Sequence, residues 1–300
     1  MHLIVTQGPY SSFLDDVVQC ELVSGIRLNT IMPIKEDRFE EKLSELRDRV
    51  APKTLWIDLK ARQLRIREFA NTPYTAVTIS HRINVRLPNT VYFDNGHITA
   101  RLADIDGYRL ILEDYAGRLL GPGESVNIID ESLEYLEPDL LTERDRRYVE
   151  ACRKLGIDHY MLSFVERAED VLTLKRLHPS CTVMSKIESR KGLKHLNHIF
   201  RESDYLMAAR GDLYTELDYP HEIGNALKTI YAVGKNRSIV ASRMLTSLLR
   251  HPVPSCPDMM DLLYLKDIGY TAFMIGDDIC FKKEILMQSI KIFQVIFNFQ

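Results

Sequence analysis

The sequence predicts an α/β protein: a (β/α)8 TIM barrel with a small all-β domain inserted after its third strand. Three observations carry that prediction. Eight short apolar runs recur along the 300 residues, stretches of helical period separate most of them, and one long interval alternates apolar with polar residues instead. Regular βα alternation implies a parallel sheet. Eight such units close into a barrel whose active site lies at the C-terminal strand ends. An open doubly wound sheet is the structural rival. It wants a G-x-G-x-x-G after the first strand, and "TQGPYS" is a poor substitute.

The strand candidates, in order, are "LIVT", "IRLN", "TLWIDL", "HYMLSF", "CTVMSKI", "YLMAAR", "SIVASRM" and "AFMIGD". After the first, "FLDDVVQCELVSG" places Leu14, Val17, Val18 and Leu22 on one helical face and ends at Gly25. After the second, "EDRFEEKLSELRDRV" carries Phe39, Leu43, Leu46 and Val50, with acids early and bases late, as the helix dipole favours. "LTERDRRYVEACRKLG" opens on Thr142 three residues before Asp145, a capping-box spacing, and closes on Gly156. "RAEDVLTLKRLH", "YPHEIGNALKTIYAVG", "SCPDMMDLLYLKDIG" and "FKKEILMQSIKIFQVIFNF" continue the alternation. The exception lies between "TLWIDL" and Thr142. "YTAVTISHRINVRL", "TVYFDNGHITARL" and "YRLILEDYAGRLL" read as strands, with Asn95-Gly96 as a hairpin turn. The expected division is residues 1–67 and 139–300 for the barrel and 68–138 for the insert. The insert would overhang the strand ends as a lid that excludes water.

Composition excludes several classes. A net charge of −3 argues against a nucleic-acid partner, which needs a basic excess. No apolar run approaches a membrane span, and the opening run is too short for a signal peptide. The five cysteines, Cys20, Cys152, Cys181, Cys256 and Cys280, have no paired or metal-binding spacing. They read as reduced thiols of a cytoplasmic chain.

Polar residues collect where a barrel site belongs. Arg27 and Asn29 end the second strand, Asp58 and Lys60 the third, and Ser163 the fourth. Lys186 and Glu188 follow the fifth, Arg210, Gly211 and Asp212 the sixth, Ser242 and Arg243 the seventh, and Asp277 and Asp278 the eighth. Alone, each has a plain alternative: a helix cap, a solvated lysine, a surface ion pair. Together they mark every strand from the second to the eighth. Glu188 and Asp212 can give a Mg2+ two hard oxygen ligands. Gly211 lets the backbone approach closely. Arg27 and Lys186 can neutralise a transferring phosphoryl group or a developing enolate.

These residues resemble the pyruvate kinase family. "SKIESRKGLKHLNHIFRESDYLMAARGDLYTEL" is similar to its Lys-Ile-Glu…Ala-Arg-Gly-Asp-Leu region, "LIVTQGPYSS" and "SGIRLN" to its opening, and "VYFDNGHITA" to its B domain, here shortened. The resemblance spans essentially the whole chain. It implies that Arg27 holds the phosphate of phosphoenolpyruvate and that Lys186 stabilises the phosphoryl group and the enolate. It implies that Glu188 and Asp212 bind Mg2+ or Mn2+. The backbone at Ala209, Arg210 and Gly211 would cradle the substrate carboxylate, with Ser163 nearby. Ser242 stands where the family has a Thr near the carbon that gains a proton. The implied activity is glycolytic phosphoryl transfer between phosphoenolpyruvate and a nucleoside diphosphate, giving pyruvate, with ADP/ATP one candidate nucleotide pair.

The chain departs from the family on one side. Arg-Leu-Asn-Phe-Ser-His becomes Arg27-Leu28-Asn29-Thr30-Ile31-Met32, so a K+-binding Ser is Ile31 and a nucleotide-side His is Met32. Asp-Thr-Lys-Gly-Pro-Glu-Ile-Arg becomes "DLKARQLRIR". Without a gap its Glu is Gln63 and its Arg is Arg65; with two extra residues they are Arg65 and Arg67. Asn29, Asp58, Lys60 and Arg65 are left as the nucleotide and cation side, and the losses argue against a K+ requirement. The family's C-terminal regulatory domain, with its effector site, is expected to be absent. The apolar tail "IFQVIFNF" reads either as the last barrel helix on its own sheet or as a subunit interface of a homo-oligomer. Two other functions fit the retained half of the site: a metal-dependent enolate-forming lyase or decarboxylase, and an inactive binding protein.

Overall fold

The computed structural model describes residues 3–137 and 140–297. β1 (Leu3–Thr6), β2 (Val23–Asn29) and β3 (Thr54–Leu59) open the barrel. The insert follows, with β4 (Val77–Thr78), β5 (Ile83–Asn84), β6 (Asn89–Phe93), β7 (Ile98–Asp106), β8 (Arg109–Leu112), β9 (Val126–Asn127) and β10 (Glu134–Tyr135). The chain returns for β11 (His159–Leu162), β12 (Thr182–Ile187), β13 (Tyr205–Ala209), β14 (Ser238–Ala241) and β15 (Phe273–Met274). The eight barrel strands pair in parallel and close, β15 against β1. In register Asn29 lies beside Asp58 and Lys186 beside Met207, so consecutive strand ends reach one level. The helices are α1 (Leu14–Val18), α2 (Phe39–Val50), α3 (Glu143–Leu155), α4 (Ala168–Leu177), α5 (Arg190–Lys194), α6 (Leu196–Glu202), α7 (Arg210–Glu216), α8 (Ile223–Gly234), α9 (Cys256–Ile268), α10 (Asp277–Cys280) and α11 (Lys283–Phe297).

The strands are apolar on both faces because both are covered. Ile4, Trp56, Met161, Met184, Met207 and Ile239 fill the interior, while the outward residues pack under the helices. In α2 the buried residues are Phe39, Leu43, Leu46 and Val50, as their spacing predicts. The capping box forms: Thr142 accepts from the Asp145 N–H, and α3 ends on Gly156 at φ 68°. Asp145 also accepts from the backbone N–H of Lys60 (2.9 Å) and Ala61 (3.0 Å), which fixes the turn after β3.

One expected helix is corrected. The stretch from Phe13 to Gly25 is helical only to Val18, and Gly25 lies inside β2. Val23 and Ile26 favour the strand, and Gly25 passes close to Trp56: a Cβ there would lie 3.0 Å from its indole. At the other end Phe293 of α11 packs on Phe273 with ring centroids 5.0 Å apart, so this part of the tail covers its own sheet. Asn298 and Phe299 lie outside the described residues.

The insert is an antiparallel sheet of order β4-β8-β7-β6-β9, with a separate β5–β10 pair. Asn95-Gly96 falls in the single-turn segment Asp94–Gly96 that joins β6 to β7. Val77, Ile79, Val91, Phe93, Leu102 and Leu110 form a core distinct from that of the barrel. That core takes in Leu64 and Ile66, so we propose that the insert begins near Leu64 rather than at residue 68. The expected far boundary, Pro138–Asp139, lies outside the described residues. Among those residues no helix is long and apolar enough to cross a membrane.

Candidate active site

A cleft of about 980 Å³ opens at the C-terminal strand ends, walled by the barrel and the insert. Arg27, Asn29, Lys186, Glu188, Ala209, Gly211, Asp212 and Ser242 line it, as does Arg65. Asp58 anchors its floor and is wholly buried. It accepts from Arg27 Nε at 2.9 Å and from Lys60 Nζ at 2.8 Å, and lies 3.5 Å from Lys186 Nζ. Burial alone would raise its carboxyl, but the charges of Lys186, Lys60 and Arg27 outweigh burial and hold it well below the carboxylate range.

Lys186 joins this floor to Glu188. Its ammonium donates to Ser163 Oγ at 2.8 Å and lies 3.1 Å from Glu188 Oε1. Burial opposes the charge, yet Asp58 and Glu188 raise the group, so it stays an ammonium. Glu188 Oε2 accepts the Phe164 N–H at 2.8 Å. Asp212 accepts from Gln63 Nε2 at 2.8 Å and from Asn127 Nδ2, reaching down from the insert, at 3.2 Å.

Glu188 and Asp212 fit a hard divalent cation. Both are nearly buried, and burial together with the Asp212 charge raises Glu188 against the pull of Lys186. A cation between them would relieve that repulsion. Among the described residues no group of three or more His, Cys, Asp or Glu could hold a metal ion. A cation held by these two carboxylates would take its other ligands from water or substrate, as Mg2+ prefers.

On the other flank Arg27 also donates to Thr6 Oγ1 at 2.9 Å and pairs with Asp277. Asn29 Nδ2 holds the second Asp277 oxygen at 2.9 Å. Arg65 donates to Gln63 Oε1 at 3.0 Å and to the Gly123 carbonyl at 2.8 Å inside the cleft. Arg67 instead bonds the Ser80 carbonyl and stacks on Tyr108 outside it, so the ungapped alignment fits the geometry. Ile31 packs against Gly123 of the insert. Arg210 differs from its neighbours. Its guanidinium turns away to Asp261 (2.6 and 2.9 Å) and the Ser242 carbonyl (2.8 Å), and it does not line the cleft. Ser242 itself sits at φ 68°.

Sequence reasoning named Asp277 without giving it a role and missed Thr6 and Asn127. The one signal for Asn127 is a polar residue inside the apolar run "VNII".

Lys60 gives a test of this floor. Burial outweighs Asp58 and pulls its ammonium down to about 7. The unfolded chain then binds the extra proton between about 7 and the ordinary lysine range, so stability from this group rises with pH across that window. Urea titrations over that range are expected to show the rise, and Lys60→Met to remove it. An identical slope in the variant would refute the assignment.

Residues 59–275 match the family model described as "Pyruvate kinase, barrel domain". The chain is 27% identical over 296 residues to a pyruvate kinase of Methanocaldococcus jannaschii, covering 92% of the chain and 64% of the relative. It is 31% identical over 207 residues to one of Agrobacterium vitis (67% of the chain, 42% of the relative). It is 25% identical over 300 residues to one of Thermoplasma acidophilum (92% and 54%). The chain thus spans less than two thirds of the length of these relatives. With the closed barrel, the inserted sheet and a family match over most of its length, the chain belongs to the pyruvate kinase barrel domain family.

Proposed function

We propose that the protein transfers a phosphoryl group between phosphoenolpyruvate and a nucleoside diphosphate, yielding pyruvate and the triphosphate. The observation that carries this reading is the buried Lys186 ammonium, flanked by Glu188 and Ser163 in the same mouth as Arg27. Arg27, pre-oriented by Asp58 and Asp277, binds the substrate phosphate. Backbone N–H groups at Ala209, Arg210 and Gly211 hold the carboxylate. Lys186 balances the charge that moves from the phosphoryl group to the enolate oxygen. Ser242 Oγ relays the proton gained by the methylene carbon. Glu188 and Asp212 hold a Mg2+ or Mn2+, which supplies Lewis-acid charge stabilisation when bound. Asn127 and Gln63 keep Asp212 turned toward the cleft, and the insert excludes water.

The Arg27 guanidinium and the Lys60 amine already stand on Asp58, and Ile31 brings an apolar side chain where the family has a K+-binding Ser. Turnover is therefore expected to be the same with and without K+.

The test is pyruvate formation from phosphoenolpyruvate with Mg2+, varying the nucleotide and K+. Product that requires a nucleoside diphosphate supports the reading. Loss of Mg2+ binding in Glu188→Gln with Asp212→Asn, read by calorimetry, supports the metal assignment. Product without any nucleotide would indicate an enolate-forming lyase, and ligand-induced stabilisation without turnover a binding protein.

A further inference from the structure

The turn after β14 is strained. Ser242 and Arg243 are consecutive non-glycine residues in the left-handed region, at φ 68° and 56°. Such backbone costs free energy and persists where surrounding contacts over-determine it. Two arginines supply those contacts, each reaching from one strand end to the backbone of the other.

Arg210, which follows β13, donates to the Ser242 carbonyl through Nε at 3.1 Å and Nη2 at 2.8 Å, and it pairs with Asp261 at 2.6 Å. Arg243 reaches in the opposite direction. Its Nε donates to the Arg210 carbonyl at 3.0 Å and its Nη2 to the Gly211 carbonyl at 3.1 Å. The same guanidinium lies over the Tyr214 ring, 4.6 Å from the centroid. Arg243, which lines the cleft, therefore grips Arg210, Gly211 and Tyr214 on the first turn of α7.

That grip bears on two groups of the site. A trans peptide is planar, so holding the Arg210 carbonyl fixes the direction of the Gly211 N–H, and holding the Gly211 carbonyl fixes that of the Asp212 N–H. A cation on a carbonyl oxygen also polarises the peptide and strengthens its N–H as a donor. Gly211 has no Cβ to restrict its backbone, so its orientation depends on outside contacts. Gln63 and Asn127 orient the Asp212 carboxylate, and Arg243 acts on the backbone that carries it.

We propose that Arg243 is a positioning residue of the cleft. It fixes the Arg210–Gly211 backbone so that the Gly211 N–H meets the substrate carboxylate and Asp212 meets the metal, a role that rests on the metal and carboxylate sites of the reading above.

Calorimetry on the full chain tests this, first with MgCl2 and then with pyruvate at saturating Mg2+. Arg243→Met keeps the stem and removes the guanidinium. Both affinities are expected to fall about tenfold or more. Arg243→Lys is expected to lie between that variant and wild type, because an ammonium lacks the fork that spans two carbonyls. In turnover assays the KM for phosphoenolpyruvate is expected to rise while that for the nucleotide stays unchanged. Thermal melts register folding. A lowered Tm with both affinities unchanged would make Arg243 a brace of the fold alone and overturn the proposal, as would equal rises in the two KM values. Wild-type protein that binds Mg2+ and pyruvate yet forms no pyruvate from phosphoenolpyruvate would remove the phosphotransferase reading and leave the Arg243 comparison in force. Wild-type protein that binds neither would remove both.

Discussion

Replacing Lys186 by Met is expected to lower turnover by about 10³-fold. The ammonium lies 3.1 Å from Glu188 Oε1 in the cleft, and in the proposed reaction it balances the charge of the enolate. Methionine fills the volume and removes the charge, so packing changes little. Glu188, already raised by burial and Asp212, takes up a proton rather than remaining a bare buried anion, which limits the stability cost. Steady-state assays read the turnover, and thermal melts separate chemistry from unfolding. A variant that keeps turnover within a factor of about ten would remove Lys186 from the mechanism.

The largest stability effect is expected for Asp58→Asn. One wholly buried carboxylate holds Arg27, Lys60 and Lys186. Without it the buried Arg27 and Lys186 lose the carboxylate they share, at a cost of about 3–5 kcal/mol. A drop of roughly 10 °C in Tm corresponds to that cost in a domain of this size. The sign with pH follows from the depressed carboxyl. Its contribution is full above the unfolded aspartate value of about 4. It is lost as pH falls below that, toward the lower folded value. Wild-type stability should therefore drop through acid pH more steeply than that of Asp58→Asn. Equal acid slopes in the two proteins would contradict the assignment.

Much of this architecture is written locally. The capping box at Thr142, the periodic face of α2 and the polar residue after each apolar run need only a few neighbouring positions, so sequence reveals them. The site's charged centre was legible for the same reason: each member ends a strand. What stayed hidden depends on contacts between distant segments. Asp212 receives Gln63 and Asn127 from far along the chain, one from each end of the insert. Arg210 adjoins the motif, yet its side chain braces α9 rather than facing the cleft, because Asp261 and the Ser242 carbonyl lie on that side. Gly25 belongs to a strand because Trp56 crowds it, a fact that helical periodicity does not contain.

Asp145 fastens the outgoing chain at Lys60 and Ala61 just where the returning chain starts α3. The long excursion is thus pinched at its neck by a single carboxylate, which meets its end-joining entropy once, within the barrel wall. Any swing of the outer body pivots beyond that pinch. A tilt of the overhanging sheet would then pivot outboard of Ala61 and leave the cylinder's shape unchanged.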